Sequence, residues 1–305
     1  MEASREWRID ALLPAEMAVK AEKIGVVKAQ TSTFTLFALG VLAGIFIALG
    51  AIFATTVTSP TMGVDPATGA PLAKWLPFGI SKLLAGFTFC LGLILVIVGG
   101  AELFTGNNLI IMAWANRKIS TFSVLRNWGI VYVGNFVGAI LTVIVTLLSG
   151  QYTFGHGAVG LNALNIAQAK VGYSFVQAIF LGSLCNMLVC LAVWLVFSSR
   201  TTTDKILSIL FPIAAFVAAG FEHSIANMYF IPMGLGIKLV AGDVFWSSIG
   251  KTAADYAALS CLSVISVWGL LRRWSIFIRM LNGSAAWCIF IVMYLPLFPE
   301  LKSGS

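Results

Sequence analysis

Two stretches of this chain are too long and too apolar to be simple straight helices, and each is interrupted by a matching polar cluster. Residues 83–116 carry one charged side chain, Glu102, and residues 206–237 carry one carboxylate, Glu222, beside His223. At about 1.5 Å of rise per residue, either stretch would reach ~50 Å as a straight helix. The hydrocarbon core of a bilayer is only ~30 Å thick, so both must bend, tilt steeply or break. The break points read Ala101-Glu-Leu-Phe-Thr-Gly-Asn107 and Phe221-Glu-His-Ser-Ile-Ala-Asn227. Glu and Asn stand five apart in both, so one device is written twice. Interrupted membrane helices at corresponding places in two halves point to a transport site near the bilayer midplane.

The composition agrees. The chain is 59% hydrophobic and 10% charged over 305 residues, whereas about a quarter of residues are charged in soluble domains. That length holds about six or seven spans and leaves no room for a second folded domain. The N-terminus is charged (Arg5, Glu6, Arg8, Asp10) and the first apolar run begins near Thr33. This predicts no cleavable signal peptide, with span one serving as its own insertion signal. The net charge of +7 is topological rather than a nucleic-acid footprint. Arg5, Arg8, Lys20, Lys23 and Lys28 precede span one, and Arg117, Lys118, Arg126, Arg200 and Lys205 fall in connections on the same side. Only Lys74, Lys82, Lys170, Lys238 and Lys251 fall on the other, which predicts a cytoplasmic N-terminus. Cys90, Cys185, Cys190, Cys261 and Cys288 lie in apolar segments with no Cys-x-x-Cys pair. They read as small hydrophobes, with no disulfide and no metal site.

Residues 8–28 read as an amphipathic helix at the membrane surface, with Pro14 in its first turn. The organisation expected is a cytoplasmic N-terminal segment (1–32), a channel domain (33–258) and an atypical C-terminal segment (259–305). Span one covers about 34–57 and span four about 173–198; span three, about 122–149, carries Gly134-Asn135 and Gly138, small residues that let backbones approach closely. Leu42-Ala-Gly-Ile-Phe-Ile-Ala-Leu49 in span one resembles Leu184-Cys-Asn-Met-Leu-Val-Cys-Leu191 in span four, and Glu102/Asn107 match Glu222/Asn227. Three spans separate each segment from its mate, so the halves insert upside down relative to each other, as an inverted repeat.

Among the polar residues His223 is the sharpest candidate. A buried imidazole has one donor and one acceptor and titrates near neutral pH. It could simply brace the break, but an ionisable group inside a membrane segment is a functional candidate by default. Glu102 and Glu222 could relay protons. The favoured reading is structural, with each carboxylate capping backbone N–H groups freed by its break. Asn107, Asn227 and Asn186 are expected to satisfy freed backbone likewise. His156 sits in a Gly-flanked loop and carries no role.

The tracts at 102–107 and 221–228 resemble the formate–nitrite transporter family. Leu184-Cys-Asn-Met-Leu-Val-Cys-Leu-Ala-Val-Trp194 and Gly134-Asn135 extend the resemblance over roughly residues 10–258. Leu12-Leu13-Pro14-Ala15 and Ile231-Pro-Met-Gly234 are most similar to the formate channels. The resemblance implies an all-α membrane protein, an aquaporin-like six-helix bundle with an inverted three-helix repeat and two interrupted helices, assembled as a homopentamer with one pore per protomer. It implies that Thr105 faces His223, and that Phe89 and Phe216 form an outer apolar constriction. Leu93, Leu103 and Phe104 would form an inner one. Lys170 would draw anions towards the external vestibule, and Asn186 would lie near the central chamber. The family's sixth helix repeats the Gly-Asn pair of helix three, whereas this chain has Leu270-Leu-Arg-Arg-Trp274 and Arg279. Residues 261–305 are therefore expected not to form the usual sixth helix, through divergence or a change of reading frame near residue 260.

The function expected is passage of small monovalent anions, formate first, across a cell inner (plasma) membrane without a cofactor. A dry pore disfavours a bare anion, so His223 would hold a positive charge or hand over a proton, with Thr105 orienting it. Nitrite, hydrosulfide or another monocarboxylate, by channel or proton symport, remain open as substrates. A membrane-embedded enzyme would need a nucleophile–base pair, metal ligands or a phosphate loop, and the sequence offers none of these patterns.

Overall fold

The computed structural model describes residues 11–64, 71–74 and 76–260, and the expectation for the tail from 261 onward lies outside them. The described residues form ten α-helices and one short hairpin. α1 is Pro14–Gln30, α2 Thr33–Val57, α3 Phe78–Gly99, α4 Ile111–Ala115 and α5 Thr121–Leu148. α6 is Ala158–Val171, α7 Phe175–Ser198, α8 Thr202–Ala218, α9 Ser224–Val240 and α10 Asp243–Ile249. β1 (Thr61–Val64) pairs antiparallel with β2 (Pro71–Lys74). A 3-10 turn at Gly106–Ile110 leads into α4.

Short polar residues start the helices by accepting otherwise unpaired N–H groups. Ser32 Oγ accepts from Thr35 N–H to start α2, and Ser120 Oγ accepts from Ser123 N–H to start α5. Ser174 and Gln177 form a reciprocal capping box at α7, as Thr201 and Asp204 do at α8. α2, α3, α5 and α7 are long and apolar enough to cross a membrane by length and composition. α9 and α10 are bent by 115° at a short break. Phe34, Phe122, Leu148 and Phe211 stand exposed on the outside, more apolar surface than a soluble monomer shows.

Both long stretches break as the sequence requires. α3 ends at Gly100 with φ 73°, and α8 ends just before Gly220 with φ 76°. Only glycine adopts this left-handed backbone without strain, and it ends helices for that reason. One residue later Ala101 N–H donates to Val96 O at 2.9 Å, and Phe221 N–H donates to Phe216 O at 3.0 Å. These are the same helix-closing bond in both halves.

α1 packs on the helical body along one face. Its buried residues Met17, Ala18, Ala21, Gly25 and Ala29 pack on the 3-10 turn, α4 and α7. Leu12 N–H donates to Ser198 O, and Glu22 takes the side chains of Asn116 and Lys118. Part of its apolar surface is thus covered by the protein, while Val19 and Val27 stay exposed.

Glycines set how closely α2 and α5 approach. A Cβ built on Gly138 would stand 2.0 Å from Val41 O, and one on Gly44 would stand 2.1 Å from Asn135 O. Gly129 lies on α5 too but has nothing within 4 Å. Gly138→Ala should therefore lower the melting temperature in detergent, by the equivalent of about 1–3 kcal/mol of overpacking. Gly129→Ala should leave it unchanged or raise it, since alanine favours the helix by up to about 1 kcal/mol.

Candidate functional site at two helix breaks

At the first break the Glu102 carboxylate is reached by two side chains. Lys28 Nζ on α1 donates to Oε2 at 2.6 Å and Asn107 Nδ2 donates to it at 2.7 Å. At the second break Lys170 Nζ on α6 donates to Glu222 Oε1 at 2.6 Å, and Asn227 Nδ2 donates to Oε2 at 2.8 Å. The backbone repeats as well. Glu102 N–H donates to Leu39 O at 3.1 Å on α2, and Glu222 N–H to Leu181 O at 3.2 Å on α7. Each broken end is thus pinned to a neighbouring long helix, α2 at the first break and α7 at the second.

This corrects the expectation that Glu102 and Glu222 cap freed N–H groups. Both carboxylates serve side-chain ammonium and amide donors instead. A buried carboxylate needs a full complement of donors or a counter-charge, and a lysine supplies both at once. It also corrects the roles given to Asn107, Asn227 and Asn186. Asn227 lies in the first turn of α9 rather than in the break, and Asn186 Nδ2 donates weakly to Cys190 Sγ at 3.6 Å. Backbone at the first break is served by Asn135, which the sequence marked only as a close-packing and family residue. Its Oδ1 accepts from Phe104 N–H at 3.0 Å, and its Nδ2 donates to Gly40 O at 2.8 Å and Glu102 O at 2.9 Å. Asn127 and Trp128 were also missed. Asn127 Oδ1 accepts from Asn107 Nδ2, and Trp128 Nε1 donates to Asn107 O.

Two cavities flank the breaks. One, of about 220 Å³, lies beneath α1 and is lined by Lys20, Lys28, Leu93, Leu103, Asn107 and Lys205 among others. Burial, and then the positive charges of Arg200 and Lys205, hold the Lys20 ammonium below the usual lysine range. The other, of about 170 Å³, lies beneath α6 and is lined by Lys82, Phe89, Lys170, Phe216, His223 and Asn227 among others.

Thr105 and His223 are both buried, and His223 lines the cavity beneath α6. His223 is the N-cap of α9, and its Nδ1 accepts from Ala226 N–H at 3.0 Å. With Nδ1 an acceptor, the neutral ring carries its proton on Nε2. Nε2 meets Thr105 Oγ1 at 3.3 Å. Phe216 stacks on the imidazole with centroids 5.7 Å apart, and Phe89 meets Phe216 edge-on at 5.9 Å. The structure therefore brings Thr105, His223, Phe89 and Phe216 into one cluster. Leu93 and Leu103 face the other cavity. Phe104 lines neither cavity; its ring packs on Tyr132 at 5.1 Å and Trp128 at 6.5 Å. Asn186 is buried one helical turn from Cys190, whose Sγ lies 3.8 Å from Thr105 O.

These features define a helical membrane protein with a polar site held where two helices stop. The chain belongs to the formate/nitrite transporter family, whose profile, described as Formate/nitrite transporter, matches residues 15–257. It is a transport protein and not an enzyme. It is 43% identical over 257 residues to the Formate channel FocA of Escherichia coli (strain K12), covering 84% of this chain and 86% of that protein. It is 40% identical over 249 residues to the Formate channel FocA of Haemophilus influenzae, covering 82% and 84%. Among solved structures, a pentameric formate channel with formate bound superposes with a TM-score of 0.75 at 40% identity, covering 88% of this chain and 98% of that one. An FNT family ion channel shares the fold at a TM-score of 0.63 and 24% identity, covering 92% and 98%.

The Lys170–Glu222 pair has side chains only 18% and 5% exposed. Lys170→Met leaves a buried carboxylate without its counter-charge and should cost about 3 kcal/mol of stability. Adding Glu222→Gln, which keeps an acceptor for Asn227 but removes the charge, should recover most of that loss. Thermal melting of the single and double variants in one detergent checks the coupling.

Proposed function

We propose that this chain carries small monovalent anions, formate first, between the two cavities by way of Thr105 and His223. The observation that carries the reading is the Thr105–His223 contact, a buried polar pair whose imidazole lines the cavity beneath α6 beside Lys82 and Lys170. Formate comes from the relatives, which are named as formate channels. The pentamer likewise comes from the solved channel, in which each protomer would supply its own pore.

The architecture proposed is an aquaporin-like six-helix bundle built as an inverted three-helix repeat, with residues 33–258 as the channel domain. The twin lysine–carboxylate–asparagine clusters support it, as do the paired bonds to Leu39 and Leu181. The lysine and arginine bias favours a multi-pass protein of the inner (plasma) membrane with its N-terminus in the cytoplasm. The cavity beneath α6 is then external and the one beneath α1 cytoplasmic. Asn186 would border the central chamber, Phe89 and Phe216 the external constriction, and Leu93 and Leu103 the inner one.

An anion leaving water for this chamber must be compensated. The neutral ring offers its Nε2–H as a hydrogen-bond donor at the point where Thr105 holds it. A positively charged ring needs a second proton on Nδ1, which removes the acceptor of Ala226 N–H. Charging His223 and loosening the first turn of α9 are then a single event. An N-cap bond is worth about 1 kcal/mol, small enough for a passing weak acid and its proton to trade against.

Uptake of labelled formate by proteoliposomes tests the reading, with nitrite, hydrosulfide and acetate as competitors in the same assay. Absence of uptake above protein-free vesicles would sink it. His223→Asn retains a capping acceptor but cannot be protonated. It should lower flux by about a hundredfold or more, the usual scale for loss of one acid–base group, and should flatten its dependence on pH. A pH response surviving in that variant would show that the titrating group lies elsewhere.

A further inference from the structure

The lysine expected to attract anions from outside has its charge already committed. Lys170 gives its ammonium to Glu222 at 2.6 Å, and Asn227 completes the carboxylate. The pair is neutral as a unit, so at a distance it presents a dipole, whose field falls off faster than that of a charge. The same cavity holds a second lysine. Lys82 lies in the second turn of α3 and lines the space shared with Lys170, Phe89, Phe216 and His223. Among the described residues its ammonium makes no hydrogen bond and no ion pair. Its contact is with the ring of Phe78, one turn earlier, 5.6 Å from the centroid. An aromatic face steadies a cation without neutralising it.

Lys82 also lies outside the repeated device. With Gly100 and Gly220 aligned as the two helix ends, the position matching Lys82 at the start of α8 is Thr202. The lysines of the two carboxylate clusters are mates of one another, whereas this cation belongs to one mouth alone.

We propose that Lys82, rather than Lys170, is the uncompensated charge that gathers anions into the cavity beneath α6. The inference rests on the anion-transport reading above and adds the residue that gives this mouth its sign. Lys170 is the positioning residue: it holds Glu222, which with Asn227 holds the break and so places His223. Lys82 acts on the approaching anion through its field, which raises the local anion concentration before the Phe89–Phe216 constriction is reached.

The test is initial uptake of labelled formate by proteoliposomes holding the full chain, Lys82→Met, Lys82→Gln or Lys82→Arg. Each is measured at about 10 mM and about 0.5 M ionic strength, between which the screening length falls from ~30 Å to ~4 Å. Both neutral variants should lower uptake about three- to tenfold at low salt and by less than about twofold at high salt, as expected for electrostatic steering. Lys82→Arg should behave as the parent. Equal uptake by parent and neutral variants at low salt overturns the proposal. So does an equal loss at both salts, or a loss that arginine does not restore. No uptake by the parent chain at either salt instead overturns the transport reading, and this inference with it.

Discussion

A carboxylate placed where a membrane helix stops must find donors that the helix no longer supplies, in surroundings where water is scarce. This chain meets the requirement by bringing a lysine from a different helix to each of Glu102 and Glu222. The remainder of the architecture follows from those two contacts. Lys28 requires α1 to fold back beneath the first break, and the small residues along the buried face of α1 permit it. Lys170 requires α6 to do the same at the second break. Such pairs are weak evidence for added stability, because desolvating two charges offsets most of their attraction. Their effect is on geometry. An unpaired carboxylate in either place would be costly, so each break is held to one arrangement.

The two halves share the scaffold and differ at the chemistry. Gly100 and Gly220, Glu102 and Glu222, and Asn107 and Asn227 do the same work at the same places. The residue after each carboxylate differs. It is Leu103 at one break and His223 at the other, and both are buried. Two residues further on, Thr105 stands against Ile225. Each break therefore supplies one polar side chain, and these two meet at 3.3 Å.

The breaks were legible in the sequence because they violate two simple constraints at once, bilayer thickness and the rarity of charge in an apolar run. The pairing of Thr105 with His223 was legible only through the family resemblance, since the two stand 118 residues apart. The lysine partners were not legible at all. Lys28 is 74 residues from Glu102, and Lys170 is 52 residues from Glu222. Each looks in sequence like an ordinary topological lysine beside a span. Asn135 was read through its neighbour Gly134 as a packing signal. Its carboxamide in fact carries three bonds to the first break and to α2. Nothing local distinguishes an asparagine that permits close packing from one that exploits it.

One consequence of the geometry concerns how firmly the central imidazole is held. In the proposed pore His223 would serve structure and transport through different atoms of the same ring. Nδ1 ends α9 by accepting Ala226 N–H, while Nε2 faces Thr105. Phe216 stacks on one face of the ring and restricts its rotation. The ring cannot turn to present Nδ1 to the chamber without uncapping α9 and breaking that stack. The tautomer and the direction of the donor are therefore set by the helix rather than by whatever occupies the chamber. In the proposed pore the donor would be in place before an anion arrives, leaving little rearrangement for the anion to drive. Preorganised dipoles of this kind act most strongly where water is excluded, and the phenyl rings of Phe89 and Phe216 would provide that exclusion. The proposed apolar constriction and the polar donor would then be one device, because the dryness that bars a bare anion also strengthens the single bond offered to it.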